Sequence, residues 1–119
     1  MSKNAIYKNQ ELRRGEYLES KNTQYRTYFQ DDGNFVTYAY SRKPIWASDT
    51  DHTDVIRLCM QEDCNLVMYN NDHKPRWHTN SYYHGHFNSC CLQLNDDGNL
   101  VVTRDGVRVW TSANSKGMK

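Results

Sequence analysis

The stretch Gln30-Asp31-Asp32-Gly33-Asn34-Phe35-Val36-Thr37-Tyr38 decides the fold, because its pattern occurs three times in 119 residues. The pattern is Gln-x-Asp-x-Asn-x-Val-x-Tyr, and its third copy is altered at both ends. On a β-strand every second side chain points to the same face, so the pattern predicts a row of polar groups on one surface. The motif positions, copy by copy, are Gln30, Asp32, Asn34, Val36 and Tyr38; Gln61, Asp63, Asn65, Val67 and Tyr69; and Asn95, Asp97, Asn99, Val101 and Thr103.

A tryptophan follows each motif at nearly constant distance and begins a short polar run. Trp46 lies 16 residues after Gln30, Trp77 lies 16 after Gln61, and Trp110 lies 15 after Asn95. Repeats of this length are typical of one supersecondary unit that buries its apolar face against its neighbours. The sequence therefore predicts a closed threefold arrangement within a single domain, residues 1–119, since the length allows one modest core.

The residues between the motif positions predict the core. Phe35, Leu66 and Leu100 occupy equivalent positions with opposite strand parity to the motif. We expect them to point inward and to meet the three tryptophans, each of which has an N–H that needs a partner. No stretch of ten residues has helical periodicity, so the expected class is all-β.

The pattern also predicts where the turns lie. Asp-Gly can mark a two-residue hairpin, and Asp32-Gly33 fits it, but the equivalent pair in the second copy is Asp63-Cys64. The interpretation favoured by all three copies is a glycine inside the strand, at a bulge or close backbone approach. Turns are predicted instead at 41–44, 70–72 and 105–106, where each joins a motif strand to a tryptophan-bearing strand.

Composition excludes several functions. The chain has 15 basic and 14 acidic side chains and a net charge of +1, which is no electrostatic footprint for nucleic acid or anionic membrane. No apolar run is long enough to span a bilayer, so membrane insertion is not expected. The N-terminal residues lack the apolar stretch of a signal peptide.

Four cysteines allow three disulfide connectivities. A bridge between Cys64 and Cys90, 26 residues apart, would stabilise the fold by roughly 3–4 kcal/mol. Cys59 and Cys91 share the opposite strand parity and either pair or remain buried thiols. A disulfide would indicate that the protein resides in an oxidising compartment, whereas the missing signal peptide argues against classical secretion into one.

The polar row suits a sugar. A carboxylate accepts a hydroxyl proton in a charge-assisted bond, and an amide can donate to one hydroxyl and accept from another. The alternative is that the row is only the solvent face of an antiparallel strand, but two complete copies favour binding. The row contains neither a nucleophile–base pair nor a metal set, so neither an enzyme nor a cofactor is expected. His84 and His86 lack a clear third ligand, which favours an exposed loop over a metal site.

These residues resemble the bulb-type, mannose-binding lectins of monocots and their relatives in fish skin mucus. The resemblance extends from about Leu12 to Trp110 and rests on a long, repeated motif. It implies a β-prism II fold, with three four-stranded antiparallel sheets around a pseudo-threefold axis. It also implies calcium-independent mannose binding.

The resemblance assigns a role to each motif position. Gln30 and Gln61 would bond the 3-hydroxyl of mannose, and the Tyr hydroxyls the 4-hydroxyl. The Asp and Asn side chains would hold the axial 2-hydroxyl, which distinguishes mannose from glucose, and the Val side chains would touch the ring carbons. Cys64 and Cys90 fall where the family places its disulfide, whereas Cys59 and Cys91 are additional to the usual plant pattern.

The third copy departs from the family. Asn95 is one methylene shorter than Gln, and Thr103 is too short to replace a Tyr hydroxyl. Asp97, Asn99 and Val101 remain. We therefore predict two intact sites and a third that binds weakly or not at all.

A shallow site with a handful of hydrogen bonds reaches only about millimolar affinity, so several sites must act together. The expected partners are mannose-containing glycans and glycoproteins. The expected assembly is a homodimer or higher oligomer, with Val107–Trp110 as a strand suited to exchange and residues 115–119 as a frayed tail. The expected location is secreted or mucus-associated without a recognisable signal peptide, with non-classical export or a cytoplasmic pool as the alternatives, and the expected role is in defence. The alternative function is a protein-binding module with vestigial sugar sites. The alternative fold is a β-trefoil, for which the chain is short.

Overall fold

The computed structural model describes residues 3–119 and contains twelve β-strands. No helix among these residues is long and apolar enough to cross a membrane. The strands are β1 Ala5–Tyr7, β2 Gln10–Arg13, β3 Tyr17–Glu19, β4 Tyr25–Phe29, β5 Phe35–Ala39, β6 Pro44–Ala47, β7 Val55–Met60, β8 Leu66–Asn70, β9 Pro75–His78, β10 Cys90–Leu94, β11 Leu100–Arg104 and β12 Val107–Thr111.

The strands form three four-stranded antiparallel sheets, in the orders β1-β10-β11-β12, β2-β7-β8-β9 and β3-β4-β5-β6. Each sequence repeat supplies three consecutive strands, and one short N-terminal strand completes each sheet. The three N-terminal strands therefore tie the three sheets together. This is the β-prism II architecture, and the all-β prediction is confirmed.

The inner faces of the sheets share one core. Phe35, Leu66 and Leu100 are fully buried, as predicted from their parity. The tryptophan rings meet edge to face at the centre, with Trp46 and Trp77 lying 6.0 and 6.3 Å from Trp110 between ring centroids. Edge-to-face contacts of this kind add to the area that the rings bury.

The tail is ordered, so the prediction of a frayed end is wrong. The indole N–H groups of Trp46 and Trp77 donate to the carbonyl oxygens of Ser115 and Lys116, at 2.8 and 2.7 Å. Trp110 donates to the Ser115 hydroxyl at 3.0 Å. Buried indole N–H groups need acceptors, and the tail provides all three. The β12 strand, suggested for exchange between chains, pairs with β11 of its own chain.

The Asp-Gly pairs lie in hairpin connections, contrary to the prediction that they lie within strands. Residues 30–34 join β4 to β5, with Gln30 N–H donating to the Asn34 carbonyl at 2.8 Å. Gly33 and Gly98 have φ of 90° and 88°, and Cys64 takes the same place with φ of 76°. A non-glycine residue adopts this conformation at a cost of about 1–2 kcal/mol, so Cys64 does not exclude the hairpin. The turns predicted at 41–44, 70–72 and 105–106 are confirmed.

The cysteine pairing agrees with the expectation from the family. Cys64 and Cys90 form a disulfide, which links the hairpin of the second sheet to the start of β10 in the first sheet. Cys59 and Cys91 are free and half-buried. Of the two arrangements that the sequence left open for Cys59, on β7, and Cys91, on β10, the structure therefore has the free thiols.

We expect the double variant Cys64→Ala, Cys90→Ala to lose about 2–5 kcal/mol of unfolding free energy, because the bridge restricts the unfolded chain. Urea denaturation followed by tryptophan fluorescence measures this loss. The matched control is Cys59→Ala, Cys91→Ala, which should keep the disulfide and its sensitivity to reductant. An unfolding midpoint of the natural chain that is the same with and without reductant would contradict the prediction.

Candidate functional site

Each motif spans a hairpin connection and the strand that follows it. Gln30, Asp32 and Asn34 lie in the connection between β4 and β5, whereas Val36 and Tyr38 lie on β5. The expected row along a single strand is therefore wrong in its first half. The second and third copies are arranged in the same way around β8 and β11, so the turn, and not strand alternation alone, gathers the motif residues.

The two ends of the motif meet in the first two copies. Gln30 Nε2 donates to the Tyr38 hydroxyl at 2.6 Å, and the Tyr69 hydroxyl donates to Gln61 Oε1. In the third copy the Thr103 hydroxyl instead lies 3.2 Å from the Cys91 sulfur. The Gln–Tyr bridge thus forms one edge of the site in two repeats and is replaced in the third.

The motif aspartates close their own turns. Asp32, Asp63 and Asp97 each accept, through Oδ1, the backbone N–H of the asparagine two residues later, at 2.9, 3.0 and 3.0 Å. This is a local side-chain-to-backbone bond of the kind that stabilises tight turns. The carboxylates therefore have a structural role in all three copies, and the turn fixes their position beside the polar row.

The asparagines are anchored by hydroxyl residues that the sequence analysis missed. Asn34 Oδ1 accepts from the Ser48 hydroxyl at 3.2 Å and from the Thr50 N–H at 3.1 Å. Asn65 Oδ1 likewise accepts from the Thr79 hydroxyl and the Ser81 N–H, at 3.3 and 3.1 Å. The available signal was the hydroxyl pair two and four residues after each of the first two tryptophans. These bonds fix the amide so that its NH₂ group is the end left to donate.

The first two sites differ at one position next to this amide. Asn65 Nδ2 lies 3.0 Å from His78 Nδ1, and the amide NH₂, which can only donate, is the donor of this bond. By sheet register His78 lies opposite Val67 as Ala47 lies opposite Val36. His78 also lines a cavity of about 340 Å³ together with Gln61, Asn65, Val67 and Tyr69. Histidine at this position was not predicted, because it lies nine residues after the motif ends.

The pKa of the Tyr69 hydroxyl in the second site is raised, chiefly by burial. Burial, with the nearby acidic groups of Cys59 and Asp63, raises the pKa of Tyr69 above its usual range. The guanidinium of Arg57 lies over the Tyr69 ring, 5.1 Å from its centroid, and opposes that shift only in part. As a protonated hydroxyl, Tyr69 can act as both hydrogen-bond donor and acceptor.

The histidine-rich loop begins next to the second site, where the Tyr83 N–H donates to the Asp63 carbonyl at 2.8 Å. His84 packs against the Tyr82 ring at 5.1 Å between centroids, and both side chains are exposed. Among residues 3–119, no three His, Cys, Asp or Glu side chains are placed to hold a metal ion together.

The arrangement suits an uncharged polyhydroxylated ring. In the first two repeats a fixed amide donor, a carboxylate and a Gln–Tyr pair surround a valine that is almost fully buried (4% exposed for Val36 and 3% for Val67). The valine supplies a small apolar floor, and the polar groups offer donors and acceptors beside it. The third repeat keeps the floor and the carboxylate but lacks the Gln–Tyr edge.

We expect Asn34→Ala to lower the free energy of unfolding by about 1–3 kcal/mol, because the hydroxyl of Ser48 and the N–H of Thr50 lose their acceptor. Urea denaturation measures the loss. Gln30→Ala, which removes only the contact to Tyr38 at the half-buried edge, is the control and should cost less. Equal losses in the two variants would contradict the anchoring role.

Comparison with known proteins agrees with this architecture, although no family model matches the chain. The B-type lectin plumieribetin of Scorpaena plumieri is 49% identical over 98% of this chain and all of its own length. A Marasmius oreades lectin superposes with a TM-score of 0.83 at 27% identity, over 96% of this chain and 92% of its own. The mannose-specific agglutinin of snowdrop, Galanthus nivalis, in complex with methyl-α-D-mannoside, superposes with a TM-score of 0.73 at 34% identity, over 84% and 88%. The shared fold, the repeated motif and the identity to the fish protein together show that the chain belongs to the bulb-type lectin family.

Proposed function

We propose that the protein is a calcium-independent lectin that binds terminal mannose or high-mannose glycans through two sites. The first is formed by Gln30, Asp32, Asn34, Val36 and Tyr38, and the second by Gln61, Asp63, Asn65, Val67 and Tyr69. The observation that carries the proposal is the Gln–Tyr bridge, which recurs in these two repeats. The mannose specificity of the snowdrop agglutinin supports the choice of sugar.

The chemistry assigns specificity to the aspartate and asparagine. An axial 2-hydroxyl would donate to the carboxylate and accept from the asparagine NH₂, whose orientation is fixed by its anchored carbonyl. Glucose places that hydroxyl equatorially and would lose both bonds, each worth about 0.5–1.5 kcal/mol and more for the charged one. The Gln and Tyr groups would hold the neighbouring hydroxyls and fix the ring over the valine.

The third repeat is proposed to bind weakly or not at all. Thr103 contacts Cys91, and Asn95 is too short to rebuild the edge that Gln30 and Gln61 provide. Asp97, Asn99 and Val101 would offer a carboxylate, an amide and an apolar floor without that edge. The cost of losing two neutral hydrogen bonds, about 1–3 kcal/mol in total, is a large part of a site worth about 4 kcal/mol.

Useful affinity then requires several sites at once. Two millimolar sites on one chain, or more in a homodimer or higher oligomer, can gain orders of magnitude through effective concentration. A branched high-mannose glycan or a glycoprotein surface provides the matching array of sugars. We further propose export to an oxidising compartment such as mucus, supported by the Cys64–Cys90 disulfide, and a role in mucosal defence.

Single-site variants test the proposal. Asp32→Ala and Asp63→Ala should each remove one mannose site, so calorimetric titration with methyl α-mannoside should give about one site per chain in place of two. The double variant should retain almost no binding, with or without chelator. Binding should remain unchanged in chelator for the natural protein, because no metal takes part.

Asp97→Ala is the matched control, since Asp97 closes the same turn in the altered repeat. It should leave the stoichiometry at about two. Near-normal mannose binding by the Asp32→Ala, Asp63→Ala protein would contradict the assignment of the sites. Failure of the natural protein to bind any mannose glycan would favour the rival, a protein-binding module on the same fold.

His78 is expected to strengthen the second site. In the Asp32→Ala background, which isolates that site, His78→Ala should weaken methyl α-mannoside binding about two- to tenfold, because the Asn65 amide loses a partner worth about 0.5–1.5 kcal/mol. Titration calorimetry measures the change. His86→Ala, in the exposed loop, serves as the control. Unchanged affinity after His78→Ala would show that the histidine does not position Asn65.

A further inference from the structure

Two cationic side chains stand at the edge of the second site. Arg76 and Lys119 line the cavity of about 340 Å³ that also contains the second motif, and both are exposed. Among residues 3–119, no acidic side chain lines this cavity, and its only other ionisable groups are His78 and Tyr69. We call Arg76 and Lys119 the cationic rim.

The cationic rim comes from β9 and from the tail. Arg76 lies at the bulge where β9 pairs with Tyr69. The tail joins β9 through Met118, whose N–H and carbonyl each bond to the backbone of His78 at 2.8 Å. This bridge places the next residue, Lys119, at the cavity. The ordered tail therefore contributes to a site as well as to the core.

The first repeat has apolar residues in the equivalent places. Ile45 immediately precedes the first tryptophan, as Arg76 precedes the second. Ala47 lies opposite the motif valine of the first repeat, as His78 does in the second. The two sites therefore share the motif but differ in charge along the strand beside it.

Arg76 is held in position and keeps donors to spare. Its Nε and Nη2 donate to the carboxylate of Asp54 at 3.2 and 3.4 Å, and Asp54 is itself bonded by the Asn70 amide at 2.9 Å. A guanidinium has five N–H groups, so three remain for a ligand. Both partners of the ion pair are about half exposed, and such pairs bind weakly in water. An incoming anion can therefore share the guanidinium with Asp54.

The hydroxyl assignments direct the 6-position of mannose towards the cationic rim. Gln61, assigned to the 3-hydroxyl, follows β7, whereas Arg76 is on β9, and these strands flank β8 on opposite sides. The ring edge opposite the 3-hydroxyl therefore faces β9. Carbon 5, which carries the 6-hydroxyl group, lies on that edge and next to carbon 4, whose hydroxyl is assigned to Tyr69. Asp63, assigned to the 2-hydroxyl, lies across the ring from carbon 5, so its charge is on the far side.

We propose that the second site accepts mannose that carries an anionic ester, a phosphate or a sulfate, on its 6-hydroxyl. The inference rests on the proposed function, because the motif would hold the sugar by its 2-, 3- and 4-hydroxyls and leave the 6-position for the cationic rim. A phosphate monoester has close to two negative charges and three acceptor oxygens, which the planar fork of a guanidinium can bind in pairs. The first site, with Ile45 in place of Arg76, would gain nothing from the ester.

The test compares two single-site proteins with three ligands. Asp32→Ala leaves the second site and Asp63→Ala leaves the first; each is titrated with methyl α-mannoside, its 6-phosphate and its 6-sulfate. We expect the 6-phosphate to bind the second site about five- to tenfold more tightly than the unmodified sugar, in line with one charge-assisted contact at a partly exposed site. The first site should show a ratio of about one or below. The preference of the second site should fall at high salt, because exposed charges are then screened.

The two esters distinguish the possible sources of the anion. A preference of the second site for either ester supports the cationic rim as an anion subsite, and the ester with the larger preference identifies the substituent. Absence of a preference for both esters would overturn the proposal.

The double variant Arg76→Ile, Lys119→Gln in the Asp32→Ala background locates the effect. It should fold normally because both side chains are exposed, keep its affinity for methyl α-mannoside and lose the preference for the esters. Arg108→Ile, Lys21→Gln, at two exposed positions outside the cavity, changes the net charge equally and should keep the preference.

Two results would overturn the cationic rim as a subsite while the mannose sites stand. One is an equal preference for the esters in the two single-site proteins, and the other is a preference that survives Arg76→Ile, Lys119→Gln. Loss of methyl α-mannoside binding by the Asp32→Ala protein would instead overturn the proposed second site and the subsite with it.

Discussion

None of the three small sheets can bury its inner face alone, and the rest of the structure follows from this constraint. The strands are only three to six residues long, and the apolar inner face of each sheet must pack against another element to be removed from water. Three copies that face inward share Phe35, Leu66 and Leu100 as one core. The closed arrangement places three indole N–H groups near the centre, where they need acceptors. The C-terminal residues provide these acceptors by lying across the tryptophans. Closing the core inward leaves three similar outer surfaces, one for each repeat.

The motif residues hold the fold and shape the outer surface at the same time. The aspartates close their hairpins, and Asn34 and Asn65 bind the segments that follow the first two tryptophans. Their recurrence therefore has a structural reason as well as a proposed functional one. The Gln–Tyr bridge distinguishes the structural role of the motif from its proposed binding role. The turn persists in the third repeat, whereas the bridge does not. This difference is why the proposed sites number two although the architecture is threefold.

The sequence predicted the elements that depend on repetition and parity. The threefold sheets, the inward Phe35, Leu66 and Leu100, the central tryptophans and the Cys64–Cys90 bridge are all present. The prediction that the first half of the motif lies within a strand was wrong. It assumed that Cys64 could not occupy the glycine position of a hairpin, but Cys64 adopts the positive φ that glycine usually takes there. The tail could not be foreseen, since its order depends on acceptors for indoles that lie up to about 70 residues away in sequence. His78 was missed for a similar reason, because it lies on the neighbouring strand β9, outside the repeated pattern.

One measurement tests the central claim most directly: a titration of the ¹⁵N-labelled protein with methyl α-mannoside, followed by two-dimensional NMR. The account predicts concentration-dependent shifts at the backbone and side-chain amides of two motifs, residues 30–38 and 61–69. Residues 95–103 should move little over the same range. Shifts of equal size in all three repeats would contradict the proposed loss of the third site, and shifts confined to residues outside the motifs would contradict the assignment of mannose binding to these surfaces.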